Sequence, residues 1–311
     1  MTDILHQRIF GANPIVPVVS MDHANLEIFR VLARELSVTQ TAVRMGRVPS
    51  NVTTRIQQLE EDLGVSLFER DKKRFSLTPE GERFLDYTER LLNLADEARQ
   101  AVKSNPEAGT LRIGTMEAAA ASRLPAPLAI FHRQWPGVRL EVSTGPSQQL
   151  LDGLKKRRID CAFIAMTSSV AQPGDDIETL PLLEEDLVLL MPATPSEKSQ
   201  PSSWSLAAFQ AGCTYRAVAE DWLATHGVSK HGLRLQEVGS YHAMVACVSA
   251  GSSVCVVPQS VLNLMPQQTG LTARTIATVP TLLAWRRGYD TPAFAAWRTV
   301  LTDTVRPKGA A

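Results

Sequence analysis

The chain has only four cysteines in 311 residues, Cys161, Cys213, Cys247 and Cys255. They form no C-x-x-C pair, and no histidine stands at ligand spacing from them. This argues against a structural zinc site, and no metal ligands are expected. No run approaches the ~18 apolar residues of a membrane span, so no membrane partner is expected. The first segment, residues 1–20, carries acid, histidine, Pro14 and Pro17 but no continuous apolar core, so it lacks a secretory pattern and a cytoplasmic protein is expected. G-x-S-x-G, G-x-x-x-x-G-K-[ST], H-E-x-x-H and G-x-G-x-x-G are all missing, which removes the usual sequence pointers to an enzyme. There is no internal repeat. Net charge is lacking too: 32 Lys+Arg face 32 Asp+Glu, which at first argues against a nucleic-acid partner.

The distribution of charge argues the other way. Arg44, Arg47 and Arg55 fall in a stretch with no acid between them, and Arg70, Lys72, Lys73 and Arg74 cluster around Asp71 alone. Acids gather instead at Glu60-Glu61-Asp62 and along 80–97. Local positive charge attracts phosphate while the remaining acids face solvent.

Residues 37–60 carry the clearest pattern. Ala42 and Met45 supply the apolar side of one short helix; Val52, Ile56, Leu59 and Leu63 supply that of a second, with Gly46 between them. The opposite side of the second helix presents Ser50, Asn51, Thr54, Arg55 and Gln58. This is a helix-turn-helix, whose second helix can enter a DNA major groove. Leu26, Phe29, Leu32 and Leu36 predict a helix beneath it. Gly64 suits a left-handed helix end. Leu67–Arg70 and Arg74–Leu77 predict two strands around a basic turn, a wing. Thr78 and Pro79 open a long helix as N-cap and first helical residue. Along that helix Phe84, Thr88, Leu91, Ala95, Ala98 and Val102 alternate steps of four and three, the seam of a coiled coil.

The expected division is an N-terminal segment over 1–20, either a disordered extension or an artefact with Met21 the physiological start; a winged helix-turn-helix over 21–78; a linker helix over 79–104; a hinge over 105–109; an α/β domain over 110–305; and a tail over 306–311. Within the α/β domain, strands at 111–114, 138–143, 161–165, 187–191 and 254–257 alternate with helices at 124–135, 148–156 and 241–250, predicting layers around largely parallel sheets.

This order resembles the LysR-type transcriptional regulators over about residues 21–305. The resemblance rests on Met21-Asp22, Leu26, Phe29, Ser37-Val-Thr, Ala42, Val52-Thr53, Ile56, Leu59-Glu60, Leu63-Gly64, Leu67-Phe-Glu-Arg70 and Leu77-Thr-Pro-Glu-Gly81. It implies an all-α winged helix-turn-helix followed by a two-lobed domain like a periplasmic binding protein, with lobe 1 at about 110–167 and 268–305 and lobe 2 at about 168–267. It also implies a homo-oligomer, dimer or tetramer, that binds an inverted repeat in double-stranded DNA, contacts RNA polymerase and senses a small molecule between the lobes. The family usually has Ser or Thr followed by Gln at the start of the recognition helix; Val48 and Pro49 stand there in this chain. The segment Arg47-Val-Pro-Ser-Asn-Val-Thr-Thr-Arg55, with Gly145-Pro-Ser147, Cys213-Thr-Tyr-Arg216 and Tyr241–Cys247, resembles the subgroup that includes the putrescine-utilisation regulator of enteric bacteria.

DNA contacts are expected from Arg47, Ser50, Asn51, Thr54, Arg55 and Gln58 of the recognition helix and its turn, and from Lys72, Lys73 and Arg74 of the wing. In the α/β domain, ligands collect at strand C-termini and helix N-termini. This points to Thr115, Met116 and Glu117; Thr144 and Ser147; Met166; and Ser240, Tyr241 and His242, while the subgroup resemblance implies that Tyr215 and Arg216 also face inward. Arg216 would bind a carboxylate and Glu117 an ammonium, giving an amino acid, amine or carboxylate as effector, with no cofactor. Cys161 and Cys255 are expected in packing; an approach of Cys213 and Cys247 would permit a thiol switch. The rival reading is a solute-binding protein or enzyme with an incidental N-terminal helical domain.

Overall fold

The structure, a computed structural model, describes residues 22–71, 74–103, 108–167, 170, 172–193, 205–228, 232–266 and 269–305. The expectations for 1–20, for most of the hinge and for the tail lie outside these residues. The chain forms two units that divide near Leu94 and Ala95.

In the first unit, α1 (His23–Glu35) starts at Asp22, whose carboxylate accepts from the Ala24 N–H at 3.1 Å. α2 (Val38–Met45) is capped by Ser37 and closed by Gly46 at φ 61°, a conformation that costs glycine little. α3 (Pro49–Leu63) runs to Gly64 at φ 70°. β1 (Phe68–Asp71) and β2 (Arg74–Leu77) pair antiparallel as the wing hairpin. Glu60 ties α3 to β1, accepting from the N–H groups of Leu67 and Phe68 at 2.6 and 3.1 Å. α4 (Pro79–Ala101) opens under the Thr78 hydroxyl, which accepts from Gly81 N–H at 2.9 Å. Glycine is required at 81: a Cβ there would fall 2.1 Å from the Leu67 carbonyl oxygen. The core joins Ile28, Phe29, Leu32, Ala42, Val52, Ile56, Leu59, Leu67 and Phe68. Each fully buried apolar side chain of this kind contributes roughly 1.5–3 kcal/mol.

α4 differs from the seam read from its sequence. Thr88 is fully buried, and the Phe84 ring packs edge-on against Phe29 at 5.0 Å, so both face the chain's own core. The exposed apolar stripe of the first unit is Tyr87, Leu91 and Leu94. Beyond it Ala98 and Val102 are exposed and Ala95 is half-buried.

The second unit begins with the last turns of α4. There Glu97 pairs with Arg286 at 3.1 Å and with Arg157, and Gln100 donates to the Thr110 carbonyl at 3.3 Å. Next come β3 (Gly109–Thr115), α5 (Glu117–Ser122), α6 (Pro125–Gln134), β4 (Val138–Thr144), α7 (Ser147–Lys155) and β5 (Cys161–Ala165). Then follow β6 (Ile177–Pro192), β7 (Ser205–Ala208), α8 (Thr214–Thr225), β8 (Arg234–Glu237), α9 (Tyr241–Ser249), β9 (Val254–Pro258), α10 (Gln259–Leu262), β10 (Leu271–Arg286) and α11 (Pro292–Thr304).

Strand order is β4-β3-β5-β10-β6-β9-β7-β8. β3 pairs parallel with β4 and β5 in lobe 1; β7 pairs parallel with β8 and β9 in lobe 2. The antiparallel pair β6–β10 runs through both lobes, with register shifts at Thr275/Ala277 and Thr281/Leu282. β5 meets only Thr281–Trp285 of β10, while β9 meets only Leu187–Leu190 of β6. The chain therefore passes between lobes inside two long strands, and not at the expected points near 167 and 268. Both strands are mixed in polarity through the crossing, which hid their length from a periodicity reading.

A buried pin marks the crossing. Glu185 of β6 accepts from Arg123 at the end of α5 at 2.9 Å, and from the N–H and hydroxyl of Ser260 in α10 at 3.0 and 2.9 Å. The Ser122 and Ser260 hydroxyls lie 3.0 Å apart. One carboxylate thus joins lobe 1 to lobe 2.

Candidate DNA-reading surface and ligand cleft

The outer face of α3 presents Ser50, Thr54, Gln57 and Gln58, all exposed, with Asn51 half-buried. The Asn51 side-chain oxygen accepts from exposed Arg47 at 3.3 Å. No acid occupies the first turn of α3. The arginines are less free than the sequence suggests. Arg55 donates to the Asn25 side chain at 3.1 Å and lies 3.6 Å from the Asp22 carboxylate, so it brackets α3 to the start of α1. Arg44 pairs with Glu35 of α1. Of the three, only Arg47 has no acid partner among the described residues. Lys72 and Lys73 lie outside the described residues, and of Arg74 only its place in β2 is described.

In the second unit a cavity of about 440 Å³ opens between the lobes, within the size range of small-molecule sites. Its wall comes from strand ends and helix starts: Met116 and Glu117 after β3, Thr144 and Gly145 at the end of β4, Phe209 and Gln210 after β7, and Glu237 and Val238 at the end of β8. The first residues of α7 and α8 complete it. Pro146 and Cys213 are their N-caps, and neither gives a side-chain cap hydrogen bond. Both helix starts lie in the cavity wall, and the leading N–H groups of a helix carry partial positive charge. The Ser147 hydroxyl accepts from Ala165 N–H at 3.1 Å and Thr214 donates to the Ala165 carbonyl at 2.7 Å, so both helix starts clamp one residue at the end of β5.

The lining holds two carboxylates, Glu117 and Glu237, and no Lys or Arg. Glu117 is half-buried and has no hydrogen-bond or ion-pair partner among the described residues. Glu237 is held from outside by Arg216 at 2.7 Å. Tyr241 stands edge-on to Phe209 at 5.0 Å. Burial pushes the Tyr215 and Tyr241 phenols well up, so both stay neutral. Burial likewise raises the Cys213 thiol above its ordinary value.

Of the expected cleft residues, Met116, Glu117, Thr144, Ser147, Tyr215 and Tyr241 line the cavity. Five do not. Thr115 is buried and donates to the Met116 carbonyl at 3.0 Å. Met166 packs against the core. Ser240 caps α9, accepting from Ala243 N–H at 3.2 Å. His242 is exposed on the outer side of α9. Arg216 is occupied by Glu220, Glu237 and the Phe209 carbonyl, which leaves no fork for a ligand carboxylate. Phe209, Gln210 and Glu237 were missed because β7 and β8 are four-residue strands without a clear alternation. The rule that ligands lie at strand C-termini would have found them had those strands been recognised. All four cysteines are free.

A helix-turn-helix unit joined to a two-lobed domain with a cleft defines a DNA-binding regulator. A family model for the bacterial regulatory helix-turn-helix of the lysR family matches residues 23–82, and one for the LysR substrate binding domain matches residues 104–306. The chain belongs to the LysR family of bacterial transcriptional regulators. It is 33% identical over 292 residues to the HTH-type transcriptional regulator GltR of Bacillus subtilis (strain 168), covering 91% of this chain and 97% of GltR. It is 35% identical over 244 residues to YusT of the same organism, covering 78% and 81%. Among solved structures, the LysR family regulator CbnR superposes with TM-score 0.65 at 22% identity, covering 92% of this chain and all of CbnR. CbnR has also been crystallised with its target DNA. No helix among the described residues is long and apolar enough to cross a membrane.

Proposed function

We propose that this regulator senses a small molecule carrying both an ammonium and a carboxylate. The observation that carries this is the polarity of the cleft: the Glu117 carboxylate, with no cation in the lining, shares one cavity with the start of α7, whose N-cap Pro146 gives no side-chain cap, and with the start of α8. Glu117 takes the ammonium, with the Phe209–Tyr241 pair beside it as an aromatic wall. The leading N–H groups of the two helices take the carboxylate. Arg216 acts at one remove, holding Glu237 in place.

On the DNA side, α3 lies in the major groove with Arg47, Ser50, Asn51, Thr54 and Gln58 toward the bases. Lys72, Lys73 and Arg74 of the wing follow the backbone. The exposed stripe Tyr87–Leu91–Leu94 of α4 supports self-association with a second copy, and so binding to an inverted repeat. The regulator acts in the cytoplasm and contacts RNA polymerase there.

Calorimetric titration of the full-length protein with size-matched amino acids, diamines and dicarboxylates tests the effector reading. Compounds with both groups should bind best, and diamines better than dicarboxylates. Preferential binding of dicarboxylates would contradict it.

A further inference from the structure

At the tip of the helix-turn-helix, Val48 breaks two local rules. It is the N-cap residue of α3, yet gives no cap hydrogen bond; valine is among the poorest residues for that place. It is also 61% exposed, so it adds little to the core. The next residue, Pro49, is exposed as well and removes the first N–H of the helix. Pro49 is an ordinary first residue of a helix, but neither capping nor packing accounts for the exposed Val48, and such local inconsistencies mark functional positions.

We infer that Val48 and Pro49 read the C5-methyl group of thymine in the operator. The inference rests on α3 being the recognition helix. N-terminal residues of such a helix meet the base edges. A valine isopropyl group and a proline ring have no hydrogen-bond donor or acceptor to offer a base. The apolar feature that the major groove presents is the thymine methyl. The surroundings suit a duplex: exposed Arg47 precedes the pair, Ser50 and Asn51 follow it, and no acid lies in the first turn of α3. Arg47, Ser50 and Asn51 then supply hydrogen bonds to neighbouring positions, while Val48 and Pro49 select thymine by shape and desolvation.

The test begins with selection of duplexes by the full-length protein from a random 30-base-pair pool. Each thymine of an enriched duplex is then replaced singly by 2′-deoxyuridine, which removes only the methyl. The wild type should lose about fourfold in affinity at a thymine in each half-site, the weight of one buried carbon. Val48→Ser, which restores a capping side chain and so does not endanger the fold, should lose less than the wild type on deoxyuridine substitution at that position. Two results would overturn the inference: a wild type indifferent to deoxyuridine everywhere, or a Val48→Ser protein with undiminished thymine dependence at the same base. Failure to enrich any duplex would instead strike at α3 as the recognition helix.

Discussion

On α3, Ser50, Asn51, Thr54, Gln57 and Gln58 come from one short run and share a face because a helix repeats every ~3.6 residues. Around the cleft, Glu117, Thr144, Tyr215, Glu237 and Tyr241 come from five segments, brought together by the C-terminal ends of β3, β4 and β8 and the starts of α8 and α9. The reading surface is exposed, and its side chains point outward from a packed three-helix core. The cleft is half-enclosed, and much of its polarity comes from the main chain at helix ends. A local surface tolerates single substitutions and changes specificity by steps. An assembled cavity responds through the elements that build it.

The same contrast decides what the sequence could disclose. The helix-turn-helix, the wing and the opening of α4 follow from short-range rules: Ser37 and Thr78 as caps, Gly46 and Gly64 in the left-handed region, and apolar residues at helical spacing. The partners of Arg55, Asp22 and Asn25, were not legible that way, because they lie some thirty residues earlier. α4 failed differently. It carries two apolar stripes, one for its own core through Phe84 and Thr88 and one exposed through Tyr87, Leu91 and Leu94. Spacing cannot say which faces a partner. In the α/β unit the buried strands β5 and β9 were legible as apolar runs. Glu237 was not, because its role depends on a short edge strand and on Arg216 beyond it.

Four experiments separate the α3 surface from the cleft. The largest effect is expected from Leu59→Ala, which empties a fully buried site in α3. It should cost the first unit about 2–5 kcal/mol and abolish operator binding while leaving ligand titration unchanged. Loss of ligand binding as well would show that the two units do not behave separately. Next is Glu117→Gln in the cleft. Removing the charge from an ammonium contact should weaken ligand binding by about 1.5–3 kcal/mol, with the melting temperature unaltered. An unchanged dissociation constant would remove Glu117 from the site. Third, Ser50→Ala and Thr54→Ala should each weaken operator binding more than Arg55→Ala, since Arg55 is held by Asp22 and Asn25. Anisotropy titrations with a selected duplex decide the order, and a dominant Arg55 effect would reverse the assignment. The smallest effect concerns Cys213. Burial raises its thiol pKa above the ordinary value, so the thiolate fraction at neutral pH is lower in the folded than in the unfolded protein. Alkylation by iodoacetamide near pH 8 should be slower at Cys213 in the native protein than in urea, and should accelerate as pH rises. Rapid native labelling at neutral pH would contradict this.

If the α3 surface and the cleft serve one regulator, binding at each changes the affinity of the other by the same factor, since coupling between binding sites acts equally in both directions. Operator affinity of the full-length protein, measured without effector and at saturation with a compound found by the calorimetric screen, tests this most directly. A several-fold change in operator affinity is predicted, matched by the same factor in effector affinity when operator is added. Identical operator affinity in the two conditions would contradict it.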